Sequence, residues 1–323
     1  IKQIKDEKVK DILKFVFTSS LGQSSKMVFI VKRRGKNNGN IVEKKEVGSW
    51  VIGYWTPKEH FEINVWKNFE SRFNKIIKAK NQQLYANYTL SECNTAAEII
   101  NNKCNLCLIN EPAQKVLTSI SDNSIDYVIT DPPHGDRIPY LELSMLWNSW
   151  LKNKVDYEDE IVISNAKERG KDINDYNRLM NKVYSTIYRI LKPGKYFSLM
   201  FNSLDDETWT NLILYLNKLG FHLHSIETLG YSANSVVQDN RKKGLKTDFV
   251  LTFQKRTPSY NTVSILTLNN NEDYLNKEIE RIIEKQNKME VYEIINEAFQ
   301  TFLNKNQFFK LSDIIKIISK NGK

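Results

Sequence analysis

The sequence has no run of about 18 uncharged apolar residues, the length that a membrane-spanning helix needs. Residues 1–11 are charged and lack the apolar stretch of a signal peptide. Cysteine is scarce, with only Cys93, Cys104 and Cys107. An odd, sparse set of cysteines is typical of a reducing compartment, so we expect a cytoplasmic protein that makes no use of a membrane.

The spacing of Cys104 and Cys107 forms a CxxC motif, which occurs in zinc and redox centres. Residues 104–110 are predicted to form a strand, where positions i and i+3 point to opposite faces. A fourth ligand at a suitable spacing is also missing. We therefore predict no metal site.

Positive charge is concentrated at the amino-terminal end. Residues 1–90 contain 18 Lys and Arg against 8 Asp and Glu, whereas residues 91–323 contain 29 against 30. The net charge of +9 therefore belongs almost wholly to the first 90 residues. Such a region indicates binding to a polyanion, or else a solvated lysine-rich surface.

Three regions follow from the periodicity of the apolar residues. Residues 1–90 predict a basic helix–hairpin–helix region, with helices at 5–20 and 58–80 and strands at 26–34 and 48–55. Residues 91–256 alternate between strands and helices, which predicts an α/β fold with a largely parallel sheet and an antiparallel pair at one edge. Residues 257–323 predict a separate helical appendage.

The candidate catalytic residues lie in one segment, residues 124–134. The hydrophobic strand 124–130 ends directly in Asp131-Pro132-Pro133-His134. Ligands of open α/β sheets bind beyond the carboxyl ends of strands, which is where this turn falls. The Asp131 carboxylate and the Pro132 carbonyl are two acceptors that would hold the N–H groups of an aromatic amine and direct its lone pair at a methyl donor.

Asp-Pro-Pro-His after Val-Ile-Thr resembles the (D/N/S)PP(Y/F/W) motif of the DNA methyltransferases that methylate exocyclic amino groups. Residues 140–151, 189–202 and 232–253 are also similar to that family. The resemblance implies a Rossmann-like sheet, S-adenosylmethionine as methyl donor, flipping of the base, and adenine N6 in preference to cytosine N4. It implies that Asp131 binds the amino group, that Pro132 and Pro133 shape the loop, and that His134 stacks on the base where the family has tyrosine.

The glycine-rich cofactor loop of that family is absent from residues 1–323. Gly22, Gly48 and Gly53 are weak substitutes for it. The resemblance leaves Asp131 and Asn202 as candidate cofactor contacts. We expect the cofactor strands to lie upstream of Ile1 or on another chain.

Two basic segments are candidates for binding double-stranded DNA. They are the hairpin, with Lys32, Arg33, Arg34 and Lys36, and the loop 238–246, with Arg241, Lys242 and Lys243. The family also implies restriction-modification, with a cognate nuclease or partner subunit. Two alternatives stay open: a methyltransferase acting on a guanine amino group in RNA, and a non-catalytic DNA-binding subunit.

Overall fold

The computed structural model of the chain describes residues 1–37, 40–50, 54–83, 89–135, 138–164, 166, 169–203, 205–229, 248–256, 263–285 and 290–321. They form two compact units. Unit 1 comprises Ile1–Thr89 and Pro139–Glu158, and unit 2 comprises Leu90–Ile138 and Asp159–Lys323. The first break falls beside the boundary predicted at residue 90, but the segment after the Asp-Pro-Pro-His turn belongs to unit 1.

The helices are α1 (Glu7–Leu21), α2 (Val65–Gln83), α3 (Ala96–Ile100), α4 (Ala113–Val116), α5 (Tyr140–Leu143), α6 (Met145–Leu151), α7 (Ile173–Ile190), α8 (Asp206–Leu219), α9 (Leu268–Lys285), α10 (Val291–Asn304) and α11 (Leu311–Lys320). The strands are β1 (Val28–Asn37), β2 (Asn40–Trp50), β3 (Glu92–Cys93), β4 (Leu106–Cys107), β5 (Ile125–Thr130), β6 (Leu191–Phe201), β7 (Phe221–Thr228), β8 (Phe249–Lys255), β9 (Ser264–Ile265) and β10 (Gln307–Phe308).

Unit 1 contains the antiparallel hairpin β1–β2 and the helices α1 and α2. The strands pair closely, with Val31 opposite Glu46 and Arg33 opposite Lys44. The second strand therefore runs from Asn40 to Trp50, whereas the prediction placed it at 48–55. Helix α1 begins at the Asp6 cap, whose carboxylate accepts from the Val9 amide at 3.1 Å.

The main sheet of unit 2 has the order β5-β6-β8-β7. Strand β5 is parallel to β6, and β8 runs antiparallel to both β6 and β7. The predicted antiparallel pair is therefore confirmed, but the sheet is not largely parallel in the part of the chain that the structure describes. Strand β8 inserts between β6 and β7, so only one parallel pair is left there.

One face of this sheet forms the core. Phe197, Leu199 and Phe201 of β6 and Phe249 and Leu251 of β8 are almost fully buried. They share a hydrophobic cluster with the apolar stripes of α7 and α8. Both helices start at an aspartate cap and α8 ends at a glycine with φ of 100°, as its sequence predicts.

The opposite face of the sheet is polar and more open. The Tyr127 hydroxyl donates to the Ser198 hydroxyl at 2.6 Å, and Ser198 is 2.8 Å from the Thr252 hydroxyl. Tyr127 is 51% exposed and Ile129 is 64% exposed. Among the described residues, no strand pairs with the outer edge of β5.

The carboxyl-terminal helices are not a separate appendage, because their apolar faces complete the same core. The ring of Phe299 in α10 lies 4.7 Å from that of Trp209 in α8 and 5.7 Å from that of Phe249 in β8. The Gln300 amide also donates to the Ile226 carbonyl of β7 at 2.7 Å. Sequence periodicity shows that a helix has an apolar face, but it does not show which surface covers that face.

The structure around Cys93, Cys104 and Cys107 differs from two predictions. The predicted strand 104–110 is reduced to the two residues of β4, which pair with β3 outside the main sheet. Cys104 precedes β4 and forms a disulfide with Cys93, with an S–S distance of 2.09 Å, while Cys107 is a free cysteine. The odd, sparse set of cysteines from which a reducing compartment was inferred therefore consists of one disulfide and one free cysteine, and the cytoplasmic location stays a prediction.

Candidate functional site

The Asp131 turn lies at the carboxyl end of β5. Valine, isoleucine, tyrosine and threonine favour a strand, and β5 pairs with β6 as far as Thr130, opposite Leu199. The chain then leaves the sheet at Asp131, whose side chain is 65% exposed. Pro132, the next residue, is buried. The carboxylate is therefore presented to solvent at the sheet rim, as predicted from the sequence.

A buried tyrosine holds this turn from below. The Tyr176 hydroxyl donates to the Pro133 carbonyl at 2.6 Å, and the side chain is only 2% exposed. Burial raises the pKa of Tyr176 above its usual range, and a hydrogen bond with the backbone of Gly135 lowers that pKa by a smaller amount. The hydroxyl therefore stays protonated and is available as a donor.

His134 points inward in this conformation. Its side chain is 13% exposed, and its ring meets that of Phe201 edge to face at a centroid distance of 5.3 Å. Its Nε2 atom lies 3.3 Å from Oδ1 of Asp131. Stacking of His134 on a base stays a prediction, and it requires the imidazole to rotate out of this position.

The described residues supply only part of a site for S-adenosylmethionine. Asn202 follows β6 at the same rim as Asp131, because β5 and β6 are parallel, but it has no exposed surface. Gly135, with φ of 70°, is the glycine of the turn itself and not part of a glycine-rich loop. The described residues therefore do not fit the whole cofactor, and the roles of Asp131 and Asn202 toward it stay predictions.

Two of the four predicted DNA contacts of the hairpin, Lys32 and Arg33, are engaged in ion pairs. Lys32 and Lys45 both bind the Glu59 carboxylate, at 2.7 and 2.9 Å. These two ammonium groups lower the pKa of Glu59 to about 2. Arg33 pairs with Glu46 at 2.9 Å. Phosphate groups would therefore have to compete with carboxylates for Lys32 and Arg33.

The remaining predicted DNA contacts lie outside what the structure describes. The side chains of Arg34 and Lys36 are not among the described ones, although their backbones are paired within β1 and β2. Arg241, Lys242 and Lys243 fall in residues 230–247, outside the described residues. Their roles stay predictions.

Tyr176 was missed by the sequence analysis. It lies on the apolar stripe of α7 with Met180, Val183 and Tyr184, so its spacing identifies it as a core residue and nothing more. Its partner, Pro133, is 43 positions away in the sequence. No local pattern encodes that contact.

A groove of about 710 Å³ lies elsewhere, on α7 and α8. Its lining is polar, with asparagine, serine and tyrosine side chains such as Asn181, Asn211 and Tyr215. It does not include Asp131. Among the described residues, no cluster of His, Cys, Asp and Glu is suited to hold a metal ion, and no helix is long and apolar enough to cross a membrane.

No family model and no curated protein matches the chain. Among solved structures, it is similar to TTHA0409 of Thermus thermophilus, a proposed DNA modification methylase. The identity is 15% over 52% of this chain and 60% of that one, with a TM-score of 0.25. A structure of TTHA0409 complexed with S-adenosyl-L-methionine matches at 14% identity over the same shares, with a TM-score of 0.26.

A SAM-dependent methyltransferase of Methanosarcina mazei is similar at 13% identity, over 46% of this chain and 66% of that one, with a TM-score of 0.24. The chain thus spans about 60% of the length of the first solved structures that it matches. Identities and TM-scores this low support no functional conclusion.

Proposed function

We propose that the chain carries the base-binding half of an S-adenosylmethionine-dependent DNA methyltransferase that modifies the N6 amino group of adenine. The observation that carries this proposal is the exposed Asp131 carboxylate at the carboxyl end of β5, directly before two prolines and above a buried tyrosine. A carboxylate in that place is open to a ligand, and the turn that bears it is fixed from beneath.

The chemistry follows from the acceptors at the turn. The lone pair of an adenine amino group is delocalised into the ring, so the nitrogen is a poor nucleophile. Asp131 accepts one N–H and the Pro132 carbonyl accepts the other, which favours a pyramidal nitrogen and stabilises positive charge as it develops there. The carboxylate then receives the proton that the nitrogen must lose.

S-adenosylmethionine supplies an electrophilic methyl group when it is bound. Since the described residues form only part of its site, we propose that the rest comes from polypeptide beyond them. The target base must leave the duplex to reach Asp131, as in other enzymes that act on a base. We further propose that the basic hairpin of unit 1 and the loop 238–246 bind the DNA backbone, and that the protein acts with a cognate nuclease or partner subunit.

The test is transfer of a labelled methyl group from S-adenosylmethionine to duplex DNA by the protein together with the polypeptide that completes its cofactor site. The product nucleoside is identified by mass spectrometry. We expect N6-methyladenine, and we expect Asp131→Ala to reduce the rate by at least about a hundredfold. Asp126→Ala is the matched control, because Asp126 is an exposed carboxylate of the same strand that pairs with Lys192 at 2.8 Å. An Asp131→Ala protein as active as this control contradicts the mechanism.

A second candidate is a non-catalytic DNA-binding subunit. The incomplete cofactor site and the inward-facing ring of His134 favour it. Calorimetry of the chain with S-adenosylmethionine, with and without DNA, tests this candidate. Heat of binding contradicts the subunit, whereas no heat is expected both for a subunit and for a chain whose cofactor site is completed by other polypeptide. Methylcytosine as the labelled product would instead indicate the cytosine alternative. Methylguanine in tRNA, when tRNA is offered in competition with duplex DNA, would indicate the RNA alternative.

A further inference from the structure

The Asp-Pro-Pro-His turn is held by hydrogen bonds to residues that the proposed chemistry does not use. From one side, the Tyr176 hydroxyl donates to the Pro133 carbonyl at 2.6 Å. From the other, the Ile163 amide donates to the Gly135 carbonyl at 3.2 Å. The turn is thus tied to α7 and to the loop that precedes it, as well as to β5.

The bond from Tyr176 is favourable because of where it lies. A buried hydroxyl needs a partner, and a carbonyl left without its donor in the same place would cost free energy. Tyr176 is 2% exposed and is anchored near the start of α7, which begins at the Asp172 cap. The phenol is therefore a fixed support beneath the turn.

Gly135 gives the turn the shape that this support requires. Its φ of 70° is in the region that disfavours side chains, and an added Cβ would lie 3.4 Å from Cδ1 of Ile163. The two prolines before it have restricted φ and carry no amide N–H. With the Pro133 carbonyl bound below, the peptide between Pro132 and Asp131 has little freedom left.

We propose that Tyr176 is a positioning residue, which binds the Pro133 carbonyl so that the Pro132 carbonyl and the Asp131 carboxylate remain directed at the target amino group. This inference rests on the proposed methyltransferase function. It assigns different tasks to the two proline carbonyls. The Pro133 carbonyl accepts from the Tyr176 hydroxyl, and the Pro132 carbonyl accepts from the amino group of the base.

Tyr176→Phe tests the inference, because it removes one oxygen and keeps the buried ring. Tyr188→Phe is the matched control: Tyr188 is on the same helix, and its hydroxyl donates to the Arg256 carbonyl at 3.0 Å, at the other end of the sheet. Both variants lose one tyrosine-to-carbonyl hydrogen bond. Because Tyr176 is buried and Tyr188 is only partly buried, the free energy of unfolding is also measured for both variants, and their activities are compared where both are folded.

Two measurements are made on both variants. The first is kcat and KM for labelled methyl transfer to DNA, and the second is hydrogen exchange of the peptide that contains the His134 and Gly135 amides. For Tyr176→Phe, we expect kcat to fall about tenfold to a hundredfold with KM for DNA within about twofold, since small misplacements of reacting groups have effects of that size. Exchange of that peptide should become faster only in Tyr176→Phe.

A Tyr176→Phe protein whose kcat matches that of Tyr188→Phe overturns the inference, and so does an unchanged rate of exchange at the turn. Failure of the proposed function has a different signature, because the unsubstituted protein would then transfer no methyl group. The exchange comparison would still show whether Tyr176 holds the turn.

Discussion

Trp209 is the residue whose removal tests the architecture of unit 2 most directly. It has no exposed surface, and its ring lies 4.9 Å from that of Phe201 in β6 and 4.7 Å from that of Phe299 in α10. Its indole N–H donates to the Ser203 carbonyl at 2.9 Å. One side chain thus joins α8, the sheet and the carboxyl-terminal helices.

The expected effect of Trp209→Ala is large. Truncation of a buried tryptophan costs about 3–5 kcal/mol, and the Ser203 carbonyl, which loses its donor, adds about 1 kcal/mol. For a domain of the size of unit 2, each kcal/mol lowers the melting temperature by about 2–4 °C. We therefore expect the transition of unit 2 to fall by roughly 10–20 °C.

Differential scanning calorimetry measures this shift, with Leu214→Ala as the control, since Leu214 is on the same helix but 40% exposed. If the carboxyl-terminal helices share the core, Trp209→Ala and Phe299→Ala should both shift one common transition. A decrease of less than about 3 °C, or a separate transition for residues 263–321, would refute the assignment of these helices to the core of unit 2.

Two further predictions concern pH and thiols. Because Glu59 has a folded pKa of about 2 against 4.5 unperturbed, its ion pairs stabilise unit 1 above pH 4.5, and that contribution is lost as the pH falls toward 2. Glu59→Gln should remove this pH-dependent part of the free energy of unfolding, which urea unfolding at several pH values measures. Identical pH profiles for Glu59→Gln and the unsubstituted protein would contradict the prediction. Thiol titration of the denatured, unreduced chain should give one thiol, Cys107, and a result of three would show that the disulfide is absent.

The sequence predicts best the features that depend on local chemistry. Strand β5 and the turn at Asp131 were located correctly, because β-branched residues that run into two prolines leave the chain few conformations. The apolar periodicity predicts helices at 173–191 and 205–220, which agree with α7 and α8 to within a residue, since each helix has an aspartate cap and an apolar stripe. These elements carry their own start and stop signals.

The errors concern features that depend on distant partners. The apolar residues 104–110 look like a strand, yet only β4 forms, because a strand requires a neighbour with which to pair. The disulfide of Cys93 and the contact of Tyr176 with the turn also join segments that are separated in sequence. Periodicity within a segment reveals a buried face, whereas the identity of its partner depends on the whole fold.

In the proposed function, the glycine-rich cofactor loop that the sequence lacks would follow a strand paired to the outer edge of β5. A strand that is parallel to its neighbour is usually covered on both faces, yet Tyr127 and Ile129, on one face of β5, are more than half exposed. Among the described residues, the outer edge of β5 is also unpaired. A parallel strand paired to that edge would end beside Asp131, and the loop that follows it would face the carboxylate. The part of the chain that the structure describes therefore accounts for the proposed recognition of the amino group. In the proposed function, the outer edge of β5 is the place where groups that hold a methyl donor would join the sheet.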